Sequence, residues 1–69
     1  MEIVLTIHAR RRMLERGILL TDIEMALLNP DIVEQLEQNR FKAVKSIKMK
    51  IIKVIYTVEH DRLIVITVA

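Results

Sequence analysis

Three apolar, strand-like runs separated by short polar segments constrain the fold of this chain most strongly. They occupy residues 41–47, 51–58 and 63–68. Short runs rich in Ile and Val, bounded by polar residues, favour β-strands over helices. Connections of only a few residues join neighbouring strands as hairpins, whose strands pair antiparallel. The pattern therefore predicts an antiparallel sheet as the main body of the fold.

The segments between these runs predict where the chain turns. Between Ile47 and Ile51 the apolar positions change from odd to even, which requires a turn or bulge near residues 48–50. Residues 59–62 are polar and predict a hairpin loop. The last run is apolar almost throughout, which is typical of a central strand rather than an edge strand.

The N-terminal segment has the signals of a short strand followed by a helix. Residues 2–6 are apolar and β-branched and predict an edge strand. Thr6 is a suitable N-cap for a helix over residues 7–16, where Ala, Arg, Met, Leu and Glu dominate. Gly17 is the only glycine in the chain and follows this helix directly, where a left-handed C-cap residue is expected.

A second helix is predicted over residues 22–28. Thr21 and Glu24 have the spacing of a capping box, and Asn29-Pro30 ends the helix because a residue before proline avoids the α region. The stripe expected to be buried consists of Ile23, Ala26 and Leu27.

The region after this helix completes the predicted fold. Residues 32–36 alternate and predict a further strand, either separate or merged with its neighbour, before a turn at Gln38-Asn39. The predicted order is β-α-α-β-β-β. We therefore expect residues 1–69 to form a single α+β domain with two N-terminal helices packed on a three- to four-stranded antiparallel sheet.

Small size and the absence of cysteine together predict self-association. A chain of 69 residues holds one core, and without cysteine no disulfide or zinc ribbon can reinforce it. With 52% hydrophobic residues, the chain offers more apolar surface than one small core hides. We expect a homodimer that uses either the first strand or the sheet face that the helices leave uncovered. That face would carry Ile51, Lys53, Ile55 and Thr57.

Composition also bears on location and source. No apolar run reaches the roughly 18 residues that a membrane span needs, and residues 1–5 do not resemble a secretory signal. We therefore expect a cytoplasmic protein without a membrane partner. Few Asn and Gln residues beside many Lys, Glu and Ile residues are typical of a heat-tolerant source.

A net charge of +2 hides an uneven distribution of charge. Residues 1–39 carry four bases and seven acids, whereas residues 40–69 carry seven bases and two acids. The lysines of the second half could follow a phosphate backbone, or they could protect sheet edges and keep the chain soluble. The residues predicted to bind RNA are Arg10, Arg11, Arg16, Lys42, Lys45, Lys48, Lys50 and Lys53.

Residues 6–18, T-I-H-A-R-R-R-M-L-E-R-G-I, resemble the start of the prokaryotic domain-of-unknown-function family 4258 (DUF4258). Its members read roughly T-x-H-A-x-x-R-M-x-E-R-G-I. The likeness continues through Asp22-Ile23 and residues 29–31, and through residues 53–56 and 64–68. It therefore covers nearly the whole chain.

The resemblance implies both a fold and a function. The family looks like a relative of the BrnT and RelE/ParE toxin-like proteins, which have a small antiparallel sheet packed by two N-terminal helices. Several of those proteins cut RNA without a metal, and partner antitoxins neutralise them. The resemblance thus implies a toxin-like fold, an RNA partner and an antitoxin-like protein partner.

Cleavage of RNA without a metal needs a base, an acid and cations near the phosphate. His8 is the best candidate base or acid, because imidazole titrates near neutral pH. Arg12 lies one turn later on the same helix face, and Glu15 lies two turns on. The same residues also have a structural interpretation, in which His8 contacts backbone or the sheet and Glu15 forms ion pairs with the arginines.

Two functions from different classes therefore remain open. The first is a toxin-like RNA-interacting protein acting as a metal-independent endoribonuclease, with catalytic residues His8, Arg12 and Glu15. The alternative is a non-enzymatic interaction module that works as a homodimer or with an antitoxin-like partner. No motif for a cofactor, a metal or a phosphate-binding loop is present, so we expect neither function to use a cofactor.

Overall fold

The last four strands of the chain form an antiparallel meander, and two helices cover one of its faces. The computed structural model describes all residues 1–69. Its elements are β1 (Glu2–Leu5), α1 (Ile7–Arg16), α2 (Leu20–Leu28), β2 (Ile32–Glu37), β3 (Arg40–Ile47), β4 (Lys50–Glu59) and β5 (Arg62–Val68). Within the sheet the strand order is β1-β5-β4-β3-β2. Neither helix is long and apolar enough to cross a bilayer.

Tight turns connect the strands of the meander. Lys48-Met49 joins β3 to β4, and His60-Asp61 joins β4 to β5. All four residues have positive φ, between 47° and 70°. Two consecutive residues with positive φ are typical of type I′ turns, whose twist matches that of antiparallel strands. The turn predicted near residues 48–50 and the hairpin loop predicted over residues 59–62 are both confirmed.

The sheet differs from the prediction in its strand number and in one pairing. It has five strands rather than three or four, because residues 32–37 form a separate strand. It is mixed rather than antiparallel, because β1 pairs in parallel with β5 at one edge. Hairpin turns set the directions of β2 to β5, whereas β1 has no short connection to its partner. Its direction therefore has no local signal in the sequence.

Thr6 links β1, α1 and β5. Its backbone N–H donates to the Val65 carbonyl at 3.2 Å, and its hydroxyl donates to the Ile66 carbonyl at 2.9 Å. The same hydroxyl oxygen accepts from the Ala9 N–H at 3.0 Å, which confirms the predicted N-cap. Ile66 is the extra residue of a β-bulge, since Val65 pairs with Tyr56 and Thr67 with Ile55. The bulge therefore presents the carbonyl that holds the start of α1.

The core lies between the two helices and the sheet. α1 packs on β5, and α2 packs on β4 and β3. From the helices and the segment between them, Ala9, Ile18, Ile23 and Ala26 are buried, and from the sheet Ile52, Val54, Val65 and Val68. The predicted stripe of α2 is confirmed, with its third member Leu27 partly buried against this core. Alanines on both helices let the backbones approach the sheet closely.

The start of α2 differs from the prediction. The helix begins at Leu20 with Leu19 as its N-cap residue, so Thr21 does not cap it and the predicted capping box is wrong. Instead the Asp22 carboxylate accepts from the Leu19 N–H at 3.0 Å. This side chain stands at the third helical position, where a carboxylate stabilises the free N–H groups of the first turn. The helix ends at Leu28 before Asn29-Pro30, as predicted.

Gly17 should be sensitive to substitution although it is exposed, because its backbone is left-handed. It has φ 65° and ψ 34°, and its N–H donates to the Met13 carbonyl, which confirms the left-handed C-cap. An added Cβ would meet no atom within 4 Å, so the cost of Gly17→Ala comes from the backbone alone. We expect Gly17→Ala to destabilise the fold by about 1 kcal/mol in urea unfolding.

The control for this substitution is Leu14→Ala, which changes an exposed helical residue and should alter the stability little. Gly17→Asn should cost less than Gly17→Ala, since asparagine tolerates the left-handed region better. Equal stabilities for Gly17→Ala and the control would show that this junction does not require positive φ.

Candidate functional site

Helix α1 carries all three residues predicted to be catalytic, and hydrogen bonds to β5 hold it in place. Arg12 Nε donates to the Val68 carbonyl at 3.4 Å, and Arg12 Nη1 lies 3.8 Å from Glu15 Oε1. Arg12 is thus partly buried between the helix and the last strand. These contacts match the structural interpretation of Arg12 and Glu15, because they tie the end of the strand to the helix.

His8 lies in the first turn of α1 and is exposed. It takes part in none of the side-chain hydrogen bonds or ion pairs. Arg12 follows it by one helical turn on the same face, a spacing that places the Cβ atoms about 5–6 Å apart. The structure therefore leaves His8 reachable from solvent beside Arg12, without bonding the two side chains to each other.

The five predicted RNA-binding lysines do not form one continuous stripe. Lys42 and Lys45 are paired, Lys42 Nζ lying 3.4 Å from Glu34 Oε1 and Lys45 Nζ 3.2 Å from Asp31 Oδ1. An odd spacing along a strand sends two side chains to opposite faces. Lys42 therefore faces away from the helices, and Lys45 faces the helix layer. The lysines outside any ion pair are Lys48, Lys50 and Lys53.

Two basic segments that are distant in sequence meet at one end of the sheet. Arg16, at the end of α1, and Lys50, at the start of β4, line the same open groove of about 320 Å³. Its floor is formed by Ile18, Ile51, Ile52 and Ala69. Lys48 and Lys50 also line an adjoining depression. We call the surface that carries Arg16, Lys48 and Lys50 the basic groove.

The basic groove has little acidic character. Asp22 lines the adjoining depression, but its carboxylate already accepts the Leu19 N–H. None of the three cations of the groove is engaged in an ion pair. Sequence reasoning found each of these residues but not their meeting, because it depends on the end of α1 and the start of β4 lying on the same side of the molecule.

The other arginines of α1 point elsewhere. Arg11 is exposed on the helix. Arg10 borders a second groove, whose apolar lining consists of Leu5, Met13, Leu14, Ile18 and Leu20. Arg16 is thus the α1 arginine that lines a groove together with a lysine of the sheet.

The two aromatic residues are not presented to solvent for base stacking. Phe41 and Tyr56 face each other across β3 and β4 with ring centroids 5.5 Å apart and planes inclined by 28°. Both are partly buried, and burial raises the pKa of the Tyr56 phenol. A nucleic acid bound to this protein would therefore contact cations but no exposed aromatic ring on which a base could stack.

Comparison with known proteins assigns the family. The sequence model of a domain of unknown function (DUF4258) matches residues 5–69. The chain belongs to the DUF4258 family. The matched region contains α1 and the basic groove, and it confirms the resemblance seen in residues 6–18. No curated protein and no solved structure matches the chain.

The DUF4258 chain offers no obvious metal site. Nowhere do three or more His, Cys, Asp or Glu residues come together in a way that could hold a metal ion. His60 lies in the turn between β4 and β5, whereas His8 lies in α1, so the two histidines belong to different parts of the fold.

Asp31 is a residue that sequence reasoning did not single out. It accepts from the Ser46 N–H at 2.8 Å and from Lys45 Nζ at 3.2 Å. The hydrogen bond from Ser46, followed by that from Lys45, holds the pKa of the Asp31 carboxyl below its ordinary value. These bonds attach the loop before β2 to β3 and explain why Lys45 has little exposed surface. The signal for this contact in the sequence was the segment Asn29-Pro30-Asp31 directly before a strand.

The lowered pKa gives the DUF4258 fold an acid-sensitive contact. Ionised Asp31 stabilises the folded state above the pKa of an unfolded aspartate, about 3.9, and this contribution disappears as the pH falls through the lower folded value. Urea unfolding of the wild type between pH 6 and 2 should therefore show a loss of stability that Asp31→Asn lacks. Glu24→Gln, which removes a carboxylate outside any ion pair, is the control. Parallel pH curves for the wild type and Asp31→Asn would contradict this role.

Proposed function

We propose that this DUF4258 protein is a toxin-like RNA-interacting protein that binds the RNA backbone through the basic groove. The observation that carries the proposal is the meeting of Arg16, Lys48 and Lys50, three cations without ion-pair partners, at one end of the sheet. By contrast, the acids of β2 and of the loop before it pair with cations of β3. Three of the seven lysines and arginines outside any ion pair therefore lie together at one site.

The arrangement of layers supports a toxin-like protein. Two N-terminal helices cover one face of the sheet, and strands β2 to β5 form an antiparallel meander. The resemblance to BrnT and RelE-like proteins implies such an arrangement. A protein of that kind would have an antitoxin-like partner that neutralises it.

The groove favours backbone contacts without a sequence preference. Each cation is free to meet a phosphate without breaking an existing ion pair, so binding releases only water and counterions. Three phosphate contacts on single-stranded RNA correspond to a salt dependence of about −2 in log K against log[salt]. Phe41 and Tyr56 stack on each other, so base stacking adds little.

We further propose that the protein cleaves the bound RNA, and His8 is the residue on which cleavage depends. Its imidazole is exposed and unbonded, as a base or acid that must meet a substrate requires. Arg12 would place positive charge one turn away, although its Nε is occupied by the Val68 carbonyl. Glu15 faces Arg12 and would orient that guanidinium rather than exchange protons with RNA.

One observation favours the alternative of a non-enzymatic interaction module. The sheet face that the helices leave uncovered bears several apolar residues, among them Ile51, which is 62% exposed. An interaction module would use this face, and RNA would play no part.

The RNA-binding proposal predicts a specific loss of affinity. Filter binding or fluorescence anisotropy with single-stranded RNA should show affinity falling steeply as salt increases. The double variant Arg16→Gln and Lys50→Gln should reduce the magnitude of the salt slope by about 1 to 1.5, since each contact contributes about 0.7. The loss should be similar for unrelated RNA sequences.

The double variant Arg40→Gln and Lys42→Gln is the matched control. It removes the same number of positive charges, but from cations of β3 that are ion-paired with acids of the edge strand β2. It should leave the salt slope nearly unchanged. Equal losses for the two double variants would mean that RNA senses net charge alone, and absence of binding at low salt would reject the proposal.

The cleavage proposal predicts that His8→Gln abolishes RNA cleavage. Since no hydrogen bond or ion pair holds His8, the melting temperature of the variant should stay close to that of the wild type. The purified wild type should cut RNA in the presence of a chelator. A wild type that binds RNA but cuts none would limit the protein to RNA binding.

A further inference from the structure

The sheet face opposite the helices carries a continuous apolar stripe. Val4 on β1 pairs in register with Ile64 on β5, and Val44 on β3 pairs with Ile32 on β2. Ile55 on the middle strand β4 lies diagonally between these two pairs. Directly paired and diagonal neighbours on one face are within side-chain contact range. The stripe therefore crosses all five strands with one residue from each.

No part of the chain covers this stripe. Core residues on the helix side of the same strands, such as Val54 and Val65, have no exposed surface, whereas Ile55 and Ile64 are only partly buried. Ile32, at the end of the stripe, is 62% exposed. The monomer thus leaves its second sheet face as accessible apolar surface.

Charged side chains flank the stripe rather than interrupt it. On the β2 side, Glu34 pairs with Lys42 and Glu37 with Arg40, with N–O distances of 3.4 and 3.1 Å. Two unpaired cations also lie on this face, Lys53 on β4 and Arg62 on β5, and their long apolar stems let the charged groups reach solvent. An apolar centre with a polar rim is the arrangement found in protein interfaces.

The dimensions of the molecule match those of a dimer interface. The protein measures 31 × 25 × 21 Å. Two layers about 10 Å apart, with their outer side chains, account for the shortest dimension, so the sheet lies in the plane of the two longer ones. The outline of the whole open face, its charged residues included, is therefore comparable to the roughly 800 Å² that each partner contributes to a standard interface.

We propose that a second copy of this chain packs against the open sheet face, stripe against stripe, around a two-fold axis close to Ile55. β4 is the middle strand, and Ile55 lies near its centre, so a face-to-face pair brings the two Ile55 side chains together. The result is a four-layer dimer with helices outside and two sheets inside. The sheets pack about 10 Å apart, as in β-sandwiches.

The sheet edges are poorer places for a second copy. β2 carries Glu34 and Glu37 and an irregularity between Gln35 and Glu37, and a copy paired antiparallel to it would bring like charges together. At the opposite edge, β1 has only four residues. Neither edge offers an apolar area comparable to the open face.

The inference is tested by sedimentation equilibrium of the full chain without RNA, so its outcome is independent of the proposed RNA binding. The wild type should sediment at twice the 8.1 kDa of one chain at micromolar concentration. Ile55→Glu should weaken the dimer by at least about 100-fold, because a carboxylate would be buried at the axis. In the monomer this carboxylate lies beside Lys42 and Lys53, which favours retention of the fold.

Leu14→Glu is the matched control, since it adds the same charge to an exposed apolar residue on the outer helix and should leave the dimer intact. Circular dichroism and a cooperative melt report folding, and if Ile55→Glu does not fold, Ile64→Thr should weaken the dimer measurably. A wild type that remains monomeric up to about 1 mM overturns the inference. So does a dimer that persists unchanged in both open-face variants, because another surface must then form it.

Discussion

The hydrogen bonds of Thr6 are the contact on which the arrangement of this protein depends. One hydroxyl donates to the Ile66 carbonyl and accepts from the Ala9 N–H, while the backbone N–H of the same residue binds the Val65 carbonyl. These bonds fix the start of α1 against β5. Since the helix then runs toward the end of that strand, Arg12 reaches the Val68 carbonyl and Arg16 reaches the groove that Lys50 also lines.

Much of the fold could be predicted because its signals are local. The bounds of α1, the left-handed Gly17 and the turns at residues 48–49 and 60–61 follow from capping preferences and from changes of apolar phase. The start of α2 was predicted wrongly because Thr21 looked like a cap, whereas Asp22 satisfies the first turn from its third position. The parallel pairing of β1 had no local signal at all.

The candidate site was less predictable from the sequence, because an ion pair with a neighbouring residue decides whether the charge of a cation is free. Sequence reasoning treated the five lysines as one group, yet the odd spacing between Lys42 and Lys45 already places them on opposite faces. Their neutralisation by Glu34 and Asp31 depends on strand register, which the sequence does not state. Likewise, the meeting of Arg16 with Lys50 is a tertiary fact. Candidate residues were thus found individually, and the structure shows which of them lie together.

The parallel strand pair has a consequence for the order of folding. Strands β2 to β5 are joined by tight turns, so each of their pairings closes only a short loop and can form early. The contact between Thr6 and Ile66 spans 60 residues, and its loop-closure entropy is correspondingly larger. We therefore expect the meander to form first and β1 to dock late. The start of α1 would be ordered only in that final step, so the last contact made in folding is the one that positions α1 against the sheet.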